Sequence, residues 1–149
     1  MLKPDRSQKR LGKSELMVGP ISYGHWRLSE GTAAEAGDKT RAALDAGMSM
    51  IDTASIYGYP AFGEAEALLG EALKAEPSLR DRMVLATKAG IYPPTPYDCT
   101  PDMIVKTCED SLRRMNTDVI DVFYIHRPDM LTPHADVAEG LMRVVESGK

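Results

Sequence analysis

The feature that most constrains this chain is a repeat: a short apolar run, then an amphipathic helix, over and over. Residues 21–23, 48–52, 83–88 and 119–125 read as strands, with starts roughly 27 to 36 residues apart. A helix pattern follows each. Thr32 and Glu35 have the spacing of a capping box, and that helix runs to about Ala46, with Gly47 as its left-handed stop. The second helix spans about residues 64–74, with Ala65, Leu68, Leu69 and Ala72 on one face, and Pro77 closes it. The third enters at Thr100-Pro101, carries Ile104, Cys108, Leu112 and Met115 on one stripe, and ends at Asn116. The fourth repeats the Thr-Pro entry at Thr132-Pro133, carries Val137, Leu141, Val144 and Val145, and stops at Gly148.

Alternation at this spacing predicts parallel strands joined by crossover helices. Ahead of it, residues 11–18 read as a hairpin turning near Lys13-Ser14, and Gly19-Pro20 then breaks the chain. The fold class expected is therefore α/β of the (β/α)8-barrel type. It would be present as an amino-terminal hairpin plus the first four βα units, a partial barrel covering residues 1–149 with no second domain. A complete barrel takes about 250 residues, so the sequence reads as the first half of a longer protein. A flavodoxin-like open sheet is the structural alternative, and it would need a fifth strand-helix unit that the sequence lacks.

Charge and cysteine content narrow the partners. The net charge is −4, yet Met1 to Lys13 holds five bases (Lys3, Arg6, Lys9, Arg10, Lys13) against Asp5. That head has no interleaved aromatics and precedes an acidic body, so it reads as a solvated lead-in with no nucleic-acid partner. No stretch reaches membrane-spanning length. Cys99 and Cys108 have neither metal nor redox spacing, no metal site is expected, and a reducing cytoplasmic location fits.

The candidate chemistry sits where the apolar runs end. Asp52, Lys88 and His126 are each the first polar residue after a strand, and Tyr57 follows Asp52 by five positions. Taken singly, each also reads as a turn or helix-entry residue. Together they fall on the carboxyl rim, where barrel enzymes place their active sites. A phenol with an ordinary pKa of ~10 is a weak proton donor at neutral pH. A nearby ammonium favours the phenolate, a carboxylate holds the ammonium, and a histidine orients a substrate oxygen. That set suits a carbonyl becoming an alcohol, with a cofactor supplying the hydride.

The residues that carry these features resemble the amino-terminal half of the aldo-keto reductase family. They are Arg10-Leu11-Gly12-Lys13-Ser14, Tyr23-Gly24-His25-Trp26, Asp52-Thr53-Ala54-Ser55-Ile56-Tyr57-Gly58, Gly63-Glu64-Ala65-Glu66 with Leu69-Gly70, Thr87-Lys88 and Ile125-His126-Arg127-Pro128-Asp129. The resemblance implies an eightfold barrel plugged by the hairpin and NADPH-dependent reduction of a small aldehyde or ketone. It makes Tyr57 the general acid, Asp52 and Lys88 its tuning pair, and His126 the substrate-orienting residue. It implies cofactor contacts from Gly24, His25, Trp26 and Asp52, and substrate contacts from Trp26, Tyr57 and His126. Tyr92 and Tyr97 would stand at the same mouth. Where the family usually has an aromatic after the histidine, this chain has Arg127, which implies either a more polar pocket or an outward turn toward Asp129. The family's remaining nicotinamide and phosphate contacts come from later strands, so the resemblance puts most of the NADPH site beyond residue 149. The 149 residues alone are then expected to bind NADPH weakly and to be inactive. Two alternatives stay open at this point: a half-barrel module that self-associates, and a redox-sensing regulatory subunit of the same type.

Overall fold

Four short parallel strands, in the order of the chain, form the sheet that positions everything else. The computed structural model describes residues 6–58 and 60–149, and Lys3 and Asp5 of the basic head lie outside the described residues. The element order is β1 (Lys9–Arg10), β2 (Met17–Val18), β3 (Tyr23–Gly24), α1 (Ala33–Asp45), β4 (Met50–Asp52), α2 (Glu64–Ala75), β5 (Val84–Ala89), α3 (Pro101–Met115), β6 (Val122–Ile125) and α4 (His134–Glu146). β1 and β2 pair antiparallel as the expected hairpin, and β3-β4-β5-β6 make the parallel sheet. Pairing sets Gly24 level with Asp52, Asp52 with Ala86, and Ala86 with Val122.

Successive strand residues face opposite sides, and the two faces have different partners. Tyr23, Ile51, Leu85, Phe123 and Ile125 point to the helix layer and pack with Leu69, Ile104, Cys108, Leu112 and Met115 in the main core. Met50, Val84, Ala86 and Val122 point the other way and pack under Leu11, Leu16 and Val18 of the hairpin. The hairpin therefore covers the lower part of the inner face. Neighbouring helices pack in sequence order, α1 on α2, α2 on α3 and α3 on α4.

Local signals explain the helix ends. Thr32 and Glu35 form the complete capping box, with the Glu35 backbone N–H donating to the Thr32 hydroxyl at 3.2 Å and the Thr32 N–H to the Glu35 carboxylate at 2.8 Å. Asn116 ends α3 in the left-handed conformation at φ 50°. Several expectations shift. The first strand is Tyr23–Gly24, and Ile21 lies outside it, 62% exposed. The fourth strand starts at Val122, because the Asp121 carboxylate takes the Leu85 N–H at 2.7 Å and the Arg80 guanidinium at 2.9 Å. That side chain does what a ladder carbonyl would otherwise do. Pro77 opens a 3-10 turn, Pro77–Arg82, that buries Leu79. On α4, Thr132 gives its hydroxyl to Asp129 at 2.6 Å, leaving Pro133 at the N-cap, and Val145 faces solvent.

One close approach holds α2 on α3. A Cβ on Gly70 would sit 1.9 Å from the Arg114 carbonyl oxygen, so only glycine lets the two backbones meet there. Gly70→Ala is expected to destabilise the chain by about 3 kcal/mol, as overpacking against backbone does. Urea denaturation measures it, and an unchanged midpoint would show that the helices separate freely.

Candidate active site

Asp52 and Lys88 both lie on the inner face, on adjacent strands, with Lys88 two residues beyond the Ala86 that pairs with Asp52. The lysine side chain reaches back across that offset. Its Nζ donates to Asp52 Oδ2 at 2.7 Å, to the Thr53 carbonyl at 2.7 Å, and to the Tyr57 hydroxyl oxygen at 3.4 Å. The two charged side chains are 15% and 27% exposed, so the pair is largely shielded from water. An ammonium in such a place requires this many oxygen partners to offset its lost hydration.

The chain after Asp52 is laced along β5 before it turns. Thr53 N–H donates to the Ala86 carbonyl, and the Ser55 N–H and hydroxyl both donate to the Lys88 carbonyl. Tyr57 N–H then closes a turn on Ala54, and the Tyr57 carbonyl accepts from Gly63 and Ala65 at the start of α2. This path carries the phenol back over Lys88, whose Nζ lies 5.0 Å from the ring centroid.

His126 follows β6 directly, with its N–H on the Ala89 carbonyl at 2.8 Å. Its ring meets Tyr57 edge-on, centroids 5.7 Å apart at 82°. Burial holds its pKa below the ordinary histidine value, and the charges of Lys88 and Arg127 push the same way, against an opposing pull from Asp52. The imidazole is thus neutral at pH 7 and able to donate one N–H. Its buried Nδ1 has no partner among the described residues.

Two cavities meet at this cluster. An outer one of about 650 Å³ is bordered by Trp26, Tyr57, Phe62, Ile91, His126 and Arg127. A second, of about 500 Å³, lies on the inner face beside Gly24, Asp52, Lys88, Tyr124 and His126. Trp26 is 66% exposed, tilted on Tyr57 at 6.4 Å, with the Arg27 guanidinium 5.6 Å from its ring. Nothing lies within 4 Å of where a Cβ on Gly24 would be, so the inner cavity is open at that point.

The structure thus brings Asp52, Tyr57, Lys88 and His126 together, with Trp26 and Gly24 at the borders. The expectation that His25 lines the pocket is not met. Its side chain is buried on the helix side, 3.3 Å from the Thr40 hydroxyl and edge-on to Tyr23 at 5.2 Å. Gly24 faces the inner cavity, so the next residue must face the helices, and only the His25 N–H reaches the site, on the Asp52 carbonyl. Arg127 borders the outer cavity. The Asp129 carboxylate is occupied by Cys99 N–H, Leu131 N–H and the Thr132 hydroxyl. Tyr92 borders an adjacent recess and Tyr97 neither cavity. Sequence reasoning missed the Thr53 carbonyl, which no side-chain motif reveals, and Phe62 and Ile91, whose apolar character in loops was the available signal. Among the described residues no cluster of His, Cys, Asp and Glu could hold a metal ion, and no helix is long and apolar enough to cross a membrane.

The rim of the parallel sheet thus gathers Asp52, Tyr57, Lys88 and His126 in one cluster. The family model for the aldo/keto reductase family matches residues 20–149, and the chain belongs to that family. It is 53% identical over 146 residues to a 6-dehydroglucose reductase of Novosphingobium aromaticivorans, covering 95% of this chain and 48% of the relative. It is 38% identical over 147 residues to a 6-dehydroglucose reductase of Agrobacterium fabrum, covering 91% and 48%. The holo form of an aldo-keto reductase from Bacillus halodurans superposes with a TM-score of 0.81 at 29% identity, covering 96% of this chain and 47% of that one. The chain spans about half the length of the curated relatives it matches, and the partial (β/α)8 barrel is its fold.

Burial lowers the His25 pKa from 6.5 to about 4. The unfolded chain therefore binds this proton more readily than the folded one, and stability falls as pH drops from about 6.5 toward 4. The loss attributable to this group is about 3 kcal/mol. Denaturant titrations across that range should show the decline, and His25→Gln should flatten it. An equally steep decline in the variant would assign the effect to other groups.

Proposed function

We propose that the protein reduces an aldehyde to an alcohol with NADPH, and that Tyr57 donates the proton. The observation that carries this reading is the Lys88 ammonium, bound to Asp52 at 2.7 Å and facing the Tyr57 hydroxyl at 3.4 Å, with the His126 ring edge-on to the phenol. The inner cavity suits the nicotinamide end of the cofactor, since it is open at Gly24 and bordered by Asp52, Lys88 and His126. Gly24 and Asp52 would hold it, with Trp26 at the border of the adjoining outer cavity and His25 contributing only backbone. When bound, NADPH supplies the hydride to the carbonyl carbon.

This chain's own residues handle the oxygen. His126, neutral, donates a hydrogen bond that orients the carbonyl. Tyr57 gives its proton to that oxygen as negative charge develops there. The Lys88 ammonium faces the charge then left on the phenolate, and Asp52 and the Thr53 carbonyl keep the ammonium in place. The names of the two relatives support a sugar aldehyde, 6-dehydroglucose, as the substrate. The polar border supplied by Arg127 suits a hydroxyl-rich molecule. A cytoplasmic location accords with two free, buried cysteines.

In the active protein, Tyr57→Phe should lower kcat by about 10²- to 10⁴-fold, the range of general-acid catalysis, while the NADPH dissociation constant stays unchanged. Steady-state kinetics and fluorescence titration measure the two, and full turnover by the variant would sink the acid assignment. A second reading is a self-associating half-barrel. It is favoured by β3 and β6, each of which pairs on one side only among the described residues. Sedimentation of the 149 residues as a monomer would reject it.

A further inference from the structure

Glu66, in the first turn of α2, is fully buried, yet none of the chemistry above uses it. Its two oxygens divide their partners. Oε1 accepts the Thr87 hydroxyl at 2.5 Å. Oε2 accepts a hydrogen bond from Arg114 Nε at 2.8 Å and forms an ion pair with Nη2 at 2.7 Å. A carboxylate taken wholly out of water needs such a set of donors, and the start of a helix adds a favourable dipole.

What these partners touch matters more than the pairing itself. Thr87 is the residue before Lys88 on β5. Its side chain points to the helices, so that of Lys88 points into the inner face. Glu66 thus grips β5 one residue from the ammonium. At the same end of α2, the N–H groups of Gly63 and Ala65 hold the Tyr57 carbonyl at 3.0 and 3.4 Å. Gly63 has φ +91°, and a Cβ there would lie 2.7 Å from Arg114 Cδ and Nε, so the guanidinium that pairs with Glu66 also lies against the turn that holds Tyr57. One turn of α2 is therefore fastened to the backbone of the proton donor and, through Glu66, to the strand of the lysine.

We propose that Glu66 is a positioning residue that sets the Lys88–Tyr57 spacing through the Thr87 hydroxyl, a proposal that rests on the reading of Tyr57 as the acid. An ion pair serving only to join α2 to α3 would need Arg114 alone. The Thr87 bond ties the carboxylate to the strand of the reacting group. Because small displacements of reacting groups cost rate steeply, the link should be visible in kcat and not in binding.

The test uses Thr87→Val, which keeps the volume and removes the hydroxyl. In the active protein kcat should fall about tenfold while the aldehyde KM and the NADPH dissociation constant stay within about twofold, the split expected when only transition-state geometry is lost. Thr87→Ser, which restores the donor, should recover kcat. A folded Thr87→Val with the parent kcat, or a Thr87→Ser as slow as Thr87→Val, overturns the proposal. If Thr87→Val does not fold, Thr87→Ala removes the same donor and reads the same link. A loss of kcat with cofactor affinity unchanged supports it, and parent kcat overturns it. Tyr57→Phe measured alongside separates the two levels. If it turns over normally, the acid assignment itself has failed. If it is inactive while Thr87→Val is normal, only the positioning role has failed.

Discussion

A single ammonium organises this structure. Lys88 Nζ sits among three oxygens from one short stretch of chain: the Asp52 carboxylate, the Thr53 carbonyl and the Tyr57 hydroxyl. Placing a charge there is costly unless those partners are fixed in advance. The parallel register of β4 on β5 fixes the first two, and the turn from Ser55 to the start of α2 fixes the third. The sheet, the hairpin beneath it and the helices behind it can each be understood as holding that register. Leu85 and Ala86, wholly buried on opposite faces of β5, anchor the strand from both sides just ahead of Lys88.

Much of this was legible in the sequence because it follows from two periodicities. The strand-helix alternation gave the order of elements, and the polar residue closing each apolar run marked Asp52, Lys88 and His126. The helix stripe from Ile104 to Met115 is buried throughout, as its spacing implies. What was not legible depends on side chains that substitute for backbone. Asp121 takes a ladder N–H and delays β6, and no strand propensity encodes that. His25 looked like a pocket residue because it neighbours Gly24 and Trp26, but strand alternation sends it into the core. Glu66 reads in the sequence as an ordinary acid near a helix start, and only the tertiary approach of α3 and β5 shows it to be buried.

The helix layer contributes to the site at a distance. Gly70 lets α2 and α3 touch, which brings Arg114 beside the first turn of α2. The same contact buries Glu66, and Glu66 reaches β5. A packing requirement between two helices is thereby connected to the geometry of the rim, through hydrogen bonds to named partners.

The central claim is that Asp52 acts on proton transfer through Lys88, and a double-mutant cycle on kcat at saturating NADPH tests it most directly. Lys88→Met and Asp52→Asn, made singly and together in the active protein, give the coupling. The account predicts that Asp52→Asn slows the parent markedly and costs nothing further once Lys88 is methionine. Two losses that multiply would contradict it, because Asp52 would then have a role of its own.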